Sequence, residues 1–167
     1  MAHTLNEIEH WSAEKSRTLY GIDNWGAGYF DVNSRGHIVV RPAGPGGAEV
    51  DLYDLVQSVR ERGINAPVLF RFNEILRHRI RTLYTAFQSA IKEYNYAGCY
   101  LPAYPIKVNQ QRPIVDVISQ AGSEIAMGLE VGSKPELIAV LGLKTHPQAL
   151  LLCNGYKDRS YIELALM

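Results

Sequence analysis

The chain has 167 residues, of which 47% are hydrophobic and 20% are charged, a composition typical of a soluble globular protein with a sizeable core. Its 17 basic residues balance 17 acidic ones, so the net charge of zero offers no bulk attraction for nucleic acid or an anionic membrane. No apolar run is long enough to span a bilayer, and residues 1–14 lack the apolar core of a signal peptide. Cys99 and Cys153 lie in apolar runs and are expected to be buried, reduced thiols, so we predict a cytoplasmic protein.

A β-hairpin is predicted near the amino terminus. Residues 29–32 and 37–41 are β-prone runs, and the turn between them, residues 33–36, consists of types that tolerate a positive φ. The following segment, residues 43–47, is rich in glycine and proline and predicts a connector between two regions.

This connector divides the chain into residues 1–47 and residues 48–167. The second region opens with apolar residues at helical spacing from Leu52 to Val59, which predict an amphipathic helix that stops at Gly63.

Four strand–helix units are predicted after that helix. Each short apolar strand is followed by apolar residues at helical spacing. Ser133 and Glu136 form a capping-box pattern at the third of these helices, and Asp158 is placed to cap the last. The predicted strands are residues 67–72, 96–107, 124–129 and 149–153.

Alternating strands and helices predict an α/β fold with a parallel sheet, either open and doubly wound or closed as a (β/α)8 barrel. No glycine-rich phosphate loop follows any predicted strand, which argues against the open alternatives. We therefore predict the first half of a (β/α)8 TIM-type barrel, cut short after about four strands.

Polar side chains follow the predicted strands where a barrel carries its chemistry: Arg71, Lys107, Glu130 and Asn154. Lys107 ends an apolar run, so we expect partial desolvation to lower its pKa and to supply a neutral amine that forms a Schiff base with a carbonyl. A solvated surface lysine is the alternative reading.

Glu130 is read either as a charge partner for Lys107 or as a solvated loop carboxylate. The basic helix segment from Arg77 to Arg81 fits a phosphate or nucleic-acid patch less well than a solvated helix face. No set of metal ligands is recognisable.

Five segments together resemble one family, the biosynthetic arginine decarboxylases. The resemblance follows the order of the chain over nearly its whole length, which makes it more specific than any single motif. The segments are residues 25–33, 67–72, 104–110, 128–134 and 153–158.

The resemblance implies a pyridoxal-phosphate decarboxylase of fold type III, built from a barrel and a β-domain to which the hairpin belongs. Lys107 matches the lysine that holds the cofactor covalently, and Glu130 matches an acidic position beside the cofactor. The implied reaction converts L-arginine to agmatine and carbon dioxide, in the synthesis of putrescine and spermidine. The family also implies magnesium, whose site we do not locate, and a homo-oligomeric full-length enzyme that acts on a small molecule without nucleic acid or membrane.

Other family elements are not found in the sequence. These are the glycine-rich phosphate loop, the histidine that stacks on the cofactor ring, the acidic partner of the pyridine nitrogen and the cysteine-containing substrate loop. The isolated chain is therefore expected to be inactive and poorly folded. An ornithine or diaminopimelate decarboxylase, and a non-catalytic cofactor-binding barrel, stay open as alternatives.

Overall fold

The chain forms two compact units divided after Ile75 in the computed structural model, which describes residues 10–143 and 146–167. The first unit contains an antiparallel sheet, and the second contains a parallel sheet covered by helices. Residues 1–9, which belong to the segment predicted to lack a signal-peptide core, lie outside the described residues. The predicted boundary between a β-domain and a barrel at residue 47 stays a prediction.

Two short helices come first in the described part of the chain, α1 (Ala13–Leu19) and α2 (Ile22–Trp25). The Ser12 hydroxyl caps α1 by accepting a hydrogen bond from the backbone N–H of Lys15 at 3.1 Å. Ile22 is only 2% exposed, so the second helix contributes directly to the core of this unit.

The predicted hairpin is confirmed. β1 (Phe30–Val32) pairs antiparallel with β2 (Ile38–Val40). In the turn, the side-chain oxygen of Asn33 accepts a hydrogen bond from the backbone N–H of His37 at 3.0 Å, and Gly36 has a φ of +80°. These are the roles that asparagine and glycine usually fill in turns, so the local sequence accounts for the hairpin.

A third strand, β3 (Val50–Asp51), extends this sheet beside β2. The sequence pattern does not indicate it, because two residues are too few to show a period. The predicted helix follows as α3 (Leu52–Glu61), capped by the Asp51 carboxylate, which accepts a hydrogen bond from the N–H of Tyr53 at 2.9 Å. The predicted stop is confirmed at Gly63, where φ is +80°.

The strand predicted at residues 67–72 is wrong. This segment forms no strand in the structure, and Val68 and Leu69 are 40% and 71% exposed. A strand needs a neighbour for its backbone hydrogen bonds, and no described segment pairs with this one.

The long helix predicted after that segment is confirmed as α4 (Asn73–Glu93). Neither α4 nor any other described helix combines the length and apolar character needed to cross a membrane. Cys99, in the loop after α4, is exposed rather than buried, because this loop leaves the apolar run that contains it at the surface; Cys153 is half-buried.

The second unit contains three parallel strands in the order β4 (Ala103–Pro105), β5 (Gly128–Val131) and β6 (Leu151–Cys153). Each matches a predicted strand, although the observed strands are shorter. The predicted third strand begins too early, since Ser123–Ile125 forms a turn of 3-10 helix before β5.

Helices α5 (Arg112–Gly122) and α6 (Lys134–Leu141) connect these strands, and α7 (Arg159–Leu166) follows β6. Proline near the start of α5 and α6 and Asp158 before α7 are the predicted start signals, and all three are confirmed. All three helices contribute to one core against one face of the sheet, as in a (β/α)8 barrel, and the unit is part of such a barrel. The core residues are Ile106, Val115, Leu129, Val131, Leu137, Val140 and Tyr161.

Candidate functional site

Lys107 lies just beyond the end of β4. The strand ends at Pro105, and a single turn of 3-10 helix, Ile106–Val108, carries the lysine. Ile106 is 3% exposed in the helix-side core, whereas the Lys107 side chain is exposed. The expectation of a partly desolvated lysine is therefore wrong for this chain, because the apolar run directs Ile106, not Lys107, into the core.

A hydrogen bond closes the turn that carries Lys107. The Tyr104 hydroxyl donates to the backbone carbonyl of Asn109 at 3.0 Å, which bridges the turn from one side to the other. Burial raises the pKa of Tyr104 above its usual value, so the phenol stays neutral and remains a donor at physiological pH. The Lys107 ammonium has no hydrogen-bond or ion-pair partner among the described residues.

Glu130 lies on the neighbouring strand, in register with Pro105 of β4. Its two neighbours in β5, Leu129 and Val131, are 3% and 0% exposed on the helix-covered face. Because successive side chains of a strand alternate between faces, the half-buried Glu130 lies on the opposite face, which is the interior face of a barrel.

Asn154 follows β6 and binds Glu130. Its side-chain nitrogen Nδ2 donates a hydrogen bond to Glu130 Oε1 at 3.1 Å. Because the three strands are parallel, Lys107, Glu130 and Asn154 lie together at the carboxyl ends of β4, β5 and β6, as the sequence predicts. Arg71, the fourth residue predicted at a strand end, is exposed and belongs to the first unit.

The turns after β5 and β6 are in close contact. Gly155 has a φ of +80°, and a Cβ atom there would lie 2.6 Å from the carbonyl oxygen of Gly132. The Gly132 N–H donates to Glu136 Oε2 at 2.6 Å. Glu136 thus does not complete the predicted capping box with the Ser133 N–H, although the Ser133 hydroxyl accepts from the Glu136 N–H at 3.5 Å.

Tyr161 of α7 supports this edge from the core side. Its hydroxyl donates to the Val131 carbonyl at 3.3 Å, and the same carbonyl accepts the backbone N–H of Asn154 at 2.8 Å. Burial, followed by the contact with Cys153, raises the pKa of Tyr161 to about 12. The sequence gives no direct sign of this role, since a tyrosine in a helix reads as an ordinary core residue.

The basic segment of α4 makes ordinary contacts within the second unit. The Arg77 guanidinium donates to the Gln120 side chain at 3.3 Å, and Arg81 lies 3.8 Å from the Glu124 carboxylate. These contacts agree with the reading of a helix face rather than an anion patch.

One group of possible metal ligands lies in the first unit. Ligand atoms of His37, Asp51 and Asp54 lie within 4.8 Å of one another, a set that sequence reasoning missed because His37 is distant in the chain from the two aspartates. Arg35 already forms ion pairs with both carboxylates, and Mg²⁺ prefers an all-oxygen shell that keeps water. The group therefore does not fit magnesium.

The strand edge fits part of what an aldehyde cofactor needs. Lys107 is an accessible primary amine on a turn fixed by Tyr104, and Glu130 supplies a fixed negative charge on the neighbouring strand. A covalent anchor and one polar wall can therefore come from these residues. Arg112, exposed at the start of α5, is the first cationic residue after Lys107 in the chain. Its guanidinium already lies 3.5 Å from the Asp116 carboxylate.

Comparison with known proteins gives a consistent result. The family model described as pyridoxal-dependent decarboxylase, pyridoxal binding domain, matches residues 78–167. The biosynthetic arginine decarboxylase of Thermosynechococcus vestitus is 47% identical over 167 residues, which are 100% of this chain and 26% of that relative. The corresponding protein of Gloeobacter violaceus is 48% identical over 160 residues, 96% of this chain and 25% of the relative.

A solved structure also matches. The biosynthetic arginine decarboxylase of Campylobacter jejuni has a TM-score of 0.79 and 32% sequence identity, over 87% of this chain and 24% of that one. The chain thus spans about a quarter of the length of the relatives it matches.

Proposed function

The chain belongs to the pyridoxal-dependent decarboxylase family, and from this premise we propose that it supplies the cofactor lysine of an enzyme that converts L-arginine to agmatine and carbon dioxide. The observation that carries the proposal is the place of Lys107, an accessible amine one turn beyond a barrel strand with an acidic residue on the next strand. Chemistry in barrels of this kind gathers at that edge.

Each residue at the edge has a separate task in this proposal. Lys107 would hold the cofactor covalently through its Nζ amine. Tyr104 holds the lysine turn closed through the Asn109 carbonyl, and Glu130 places a negative charge on the interior face. When bound, pyridoxal phosphate supplies the electron sink that accepts the electron pair left by the departing carbon dioxide.

Arginine is favoured over ornithine and diaminopimelate as the substrate. Relatives that are 44% to 48% identical over nearly the whole chain, and a solved structure, carry the name biosynthetic arginine decarboxylase. By the same resemblance we propose a cytoplasmic homo-oligomer that requires magnesium and acts in arginine catabolism towards putrescine and spermidine. A non-catalytic cofactor-binding barrel is less well supported, because Glu130 on β5 supplies the acidic residue expected beside the cofactor in a decarboxylase.

A chimera tests this proposal. The segment of the Thermosynechococcus vestitus enzyme that matches this chain is replaced by it, and release of labelled carbon dioxide from carboxyl-labelled arginine is measured alongside agmatine formation. We expect turnover that Lys107→Ala abolishes and Lys92→Ala leaves unchanged, since Lys92 is an exposed lysine at the end of α4. Turnover that survives Lys107→Ala would exclude the proposed role.

A further inference from the structure

We propose that Asn154 is a positioning residue: it fixes the Glu130 carboxylate on the interior face of the sheet, at the edge that carries Lys107. This inference rests on the proposed function, because it assigns Asn154 a part in preparing the cofactor site. Asn154 and Glu130 are distant in sequence, and the hydrogen bond between them exists only because β5 and β6 are parallel neighbours.

The orientation of the Asn154 amide is determined by two hydrogen bonds. Its oxygen Oδ1 accepts the backbone N–H of Gly155 at 2.8 Å, and its nitrogen Nδ2 donates to Glu130 Oε1 at 3.1 Å. The reverse orientation would place the amide oxygen against a carboxylate and an NH₂ group against an N–H. The side chain therefore presents a donor, and only a donor, to Glu130.

The backbone of Asn154 is held independently of this side chain. Its N–H donates to the Val131 carbonyl at 2.8 Å, and Gly155 packs against the Gly132 carbonyl so closely that no Cβ fits. Lys157 also donates to the Gly155 carbonyl at 2.9 Å. A side-chain substitution at position 154 thus leaves the turn with several of its constraints.

Glu130 depends on Asn154 for its orientation. The bond at Oε1 is the one hydrogen bond of the carboxylate in the described ranges, 10–143 and 146–167. A glutamate loses rotamer freedom when it is ordered, and this bond offsets part of that cost. Without the bond, the half-buried carboxylate samples several rotamers on the open face.

The first part of the test observes the bond directly in the chain without cofactor. The side-chain NH₂ signal of Asn154 is assigned in the ¹⁵N-labelled chain by its loss in Asn154→Asp, and its exchange with water is measured. We expect Glu130→Ala to accelerate this exchange about tenfold or more, as removal of one hydrogen bond to a charged acceptor implies. Unchanged exchange would overturn the inference.

The second part asks whether the bond acts through Glu130 at the cofactor site. In the chimera that carries this chain, the rate of borohydride-trappable capture of pyridoxal phosphate on Lys107 is measured separately from the initial binding affinity. We expect Asn154→Ala to slow capture about fivefold when Glu130 is present and less than twofold in Glu130→Ala, because coupled residues are not additive.

Asn109→Ala is the matched control. Asn109 Oδ1 accepts the N–H of Gln111 at 3.0 Å in the turn after β4, so its loss perturbs the same edge without touching Glu130. We expect Asn109→Ala to change the rate of capture by the same factor in the Glu130 background as in the Glu130→Ala background. An equal factor for Asn154→Ala in both backgrounds would show a merely structural role and overturn the inference. Absence of capture on Lys107 in the parent chimera would contradict the proposed function instead, and the amide exchange would still decide the role of Asn154.

Discussion

Gly155→Ala tests the close approach of the two turns at the candidate site. The substitution places a side chain at a φ of +80°, which costs about 1–2 kcal/mol for a residue other than glycine. The new Cβ would also lie 2.6 Å from the Gly132 carbonyl oxygen, and such overpacking costs about 1–3 kcal/mol more. We therefore expect the free energy of unfolding of the second unit to fall by about 2–5 kcal/mol in urea denaturation followed by far-ultraviolet circular dichroism.

Gly63→Ala is the control for this prediction. Gly63 has the same φ of +80°, but nothing lies within 4 Å of the position that a Cβ would take. Only the conformational cost applies there, and we expect about 1–2 kcal/mol. Both tryptophans, Trp11 and Trp25, lie in the first unit, so their fluorescence reports Gly63→Ala while circular dichroism reports both variants. Equal costs for the two variants would refute the contact between Gly155 and Gly132.

Three further predictions concern stability and titration. Leu137 is 0% exposed, so Leu137→Ala is expected to lower the free energy of unfolding by about 2–5 kcal/mol. Ile138 is 54% exposed, so Ile138→Ala should lower it by less than about 1 kcal/mol. Comparable urea midpoints for the two variants would contradict the described core. Burial opposes the charge of Asp51, but hydrogen bonds from the Asp54 N–H, His37 and Asn33 outweigh it and hold its pKa well below the usual value. The stabilising contribution of Asp51 is therefore complete above the unfolded pKa of about 3.9 and is lost as the pH falls through the folded pKa. The free energy of unfolding, followed by tryptophan fluorescence, should differ less between the parent chain and Asp51→Asn as the pH falls. A constant difference in this free energy down to the lowest pH would count against the prediction. Because burial raises the pKa of Tyr161 to about 12, the tyrosine that titrates latest by absorbance at 295 nm should be missing in Tyr161→Phe. The contribution of the neutral Tyr161 phenol to stability is complete below about pH 10 and is lost as the pH rises through the folded pKa. An unchanged late titration in Tyr161→Phe would disprove the buried phenol.

Much of the fold follows from local sequence signals. Asn33 and Gly36 specify the hairpin turn, proline and Asp158 start helices of the second unit, and Gly63 ends α3, because each acts through its own backbone or through atoms a few residues away. The same reasoning fails at residues 67–72, where β-prone composition is present but no described segment provides strand pairing.

The candidate site was partly predictable for a related reason. Lys107, Glu130 and Asn154 all follow or end short apolar strands, so topology alone brings them to one edge. The hydrogen bond between Asn154 and Glu130, the contact of Gly155 with Gly132 and the support from Tyr161 depend on register between strands and on packing of α7. None of these has a local pattern, and the exposure of Lys107 likewise depends on which neighbour the turn buries.

Covalent capture on Lys107 tests the central claim most directly. The chimera that carries this chain is incubated with one equivalent of pyridoxal phosphate, reduced with borohydride and mapped by peptide mass spectrometry. We expect the adduct on Lys107 in the parent chimera and in its Lys92→Arg variant, and its loss in Lys107→Arg. An adduct found mainly on Lys92 or on another lysine, or one that persists undiminished in Lys107→Arg, would contradict the account.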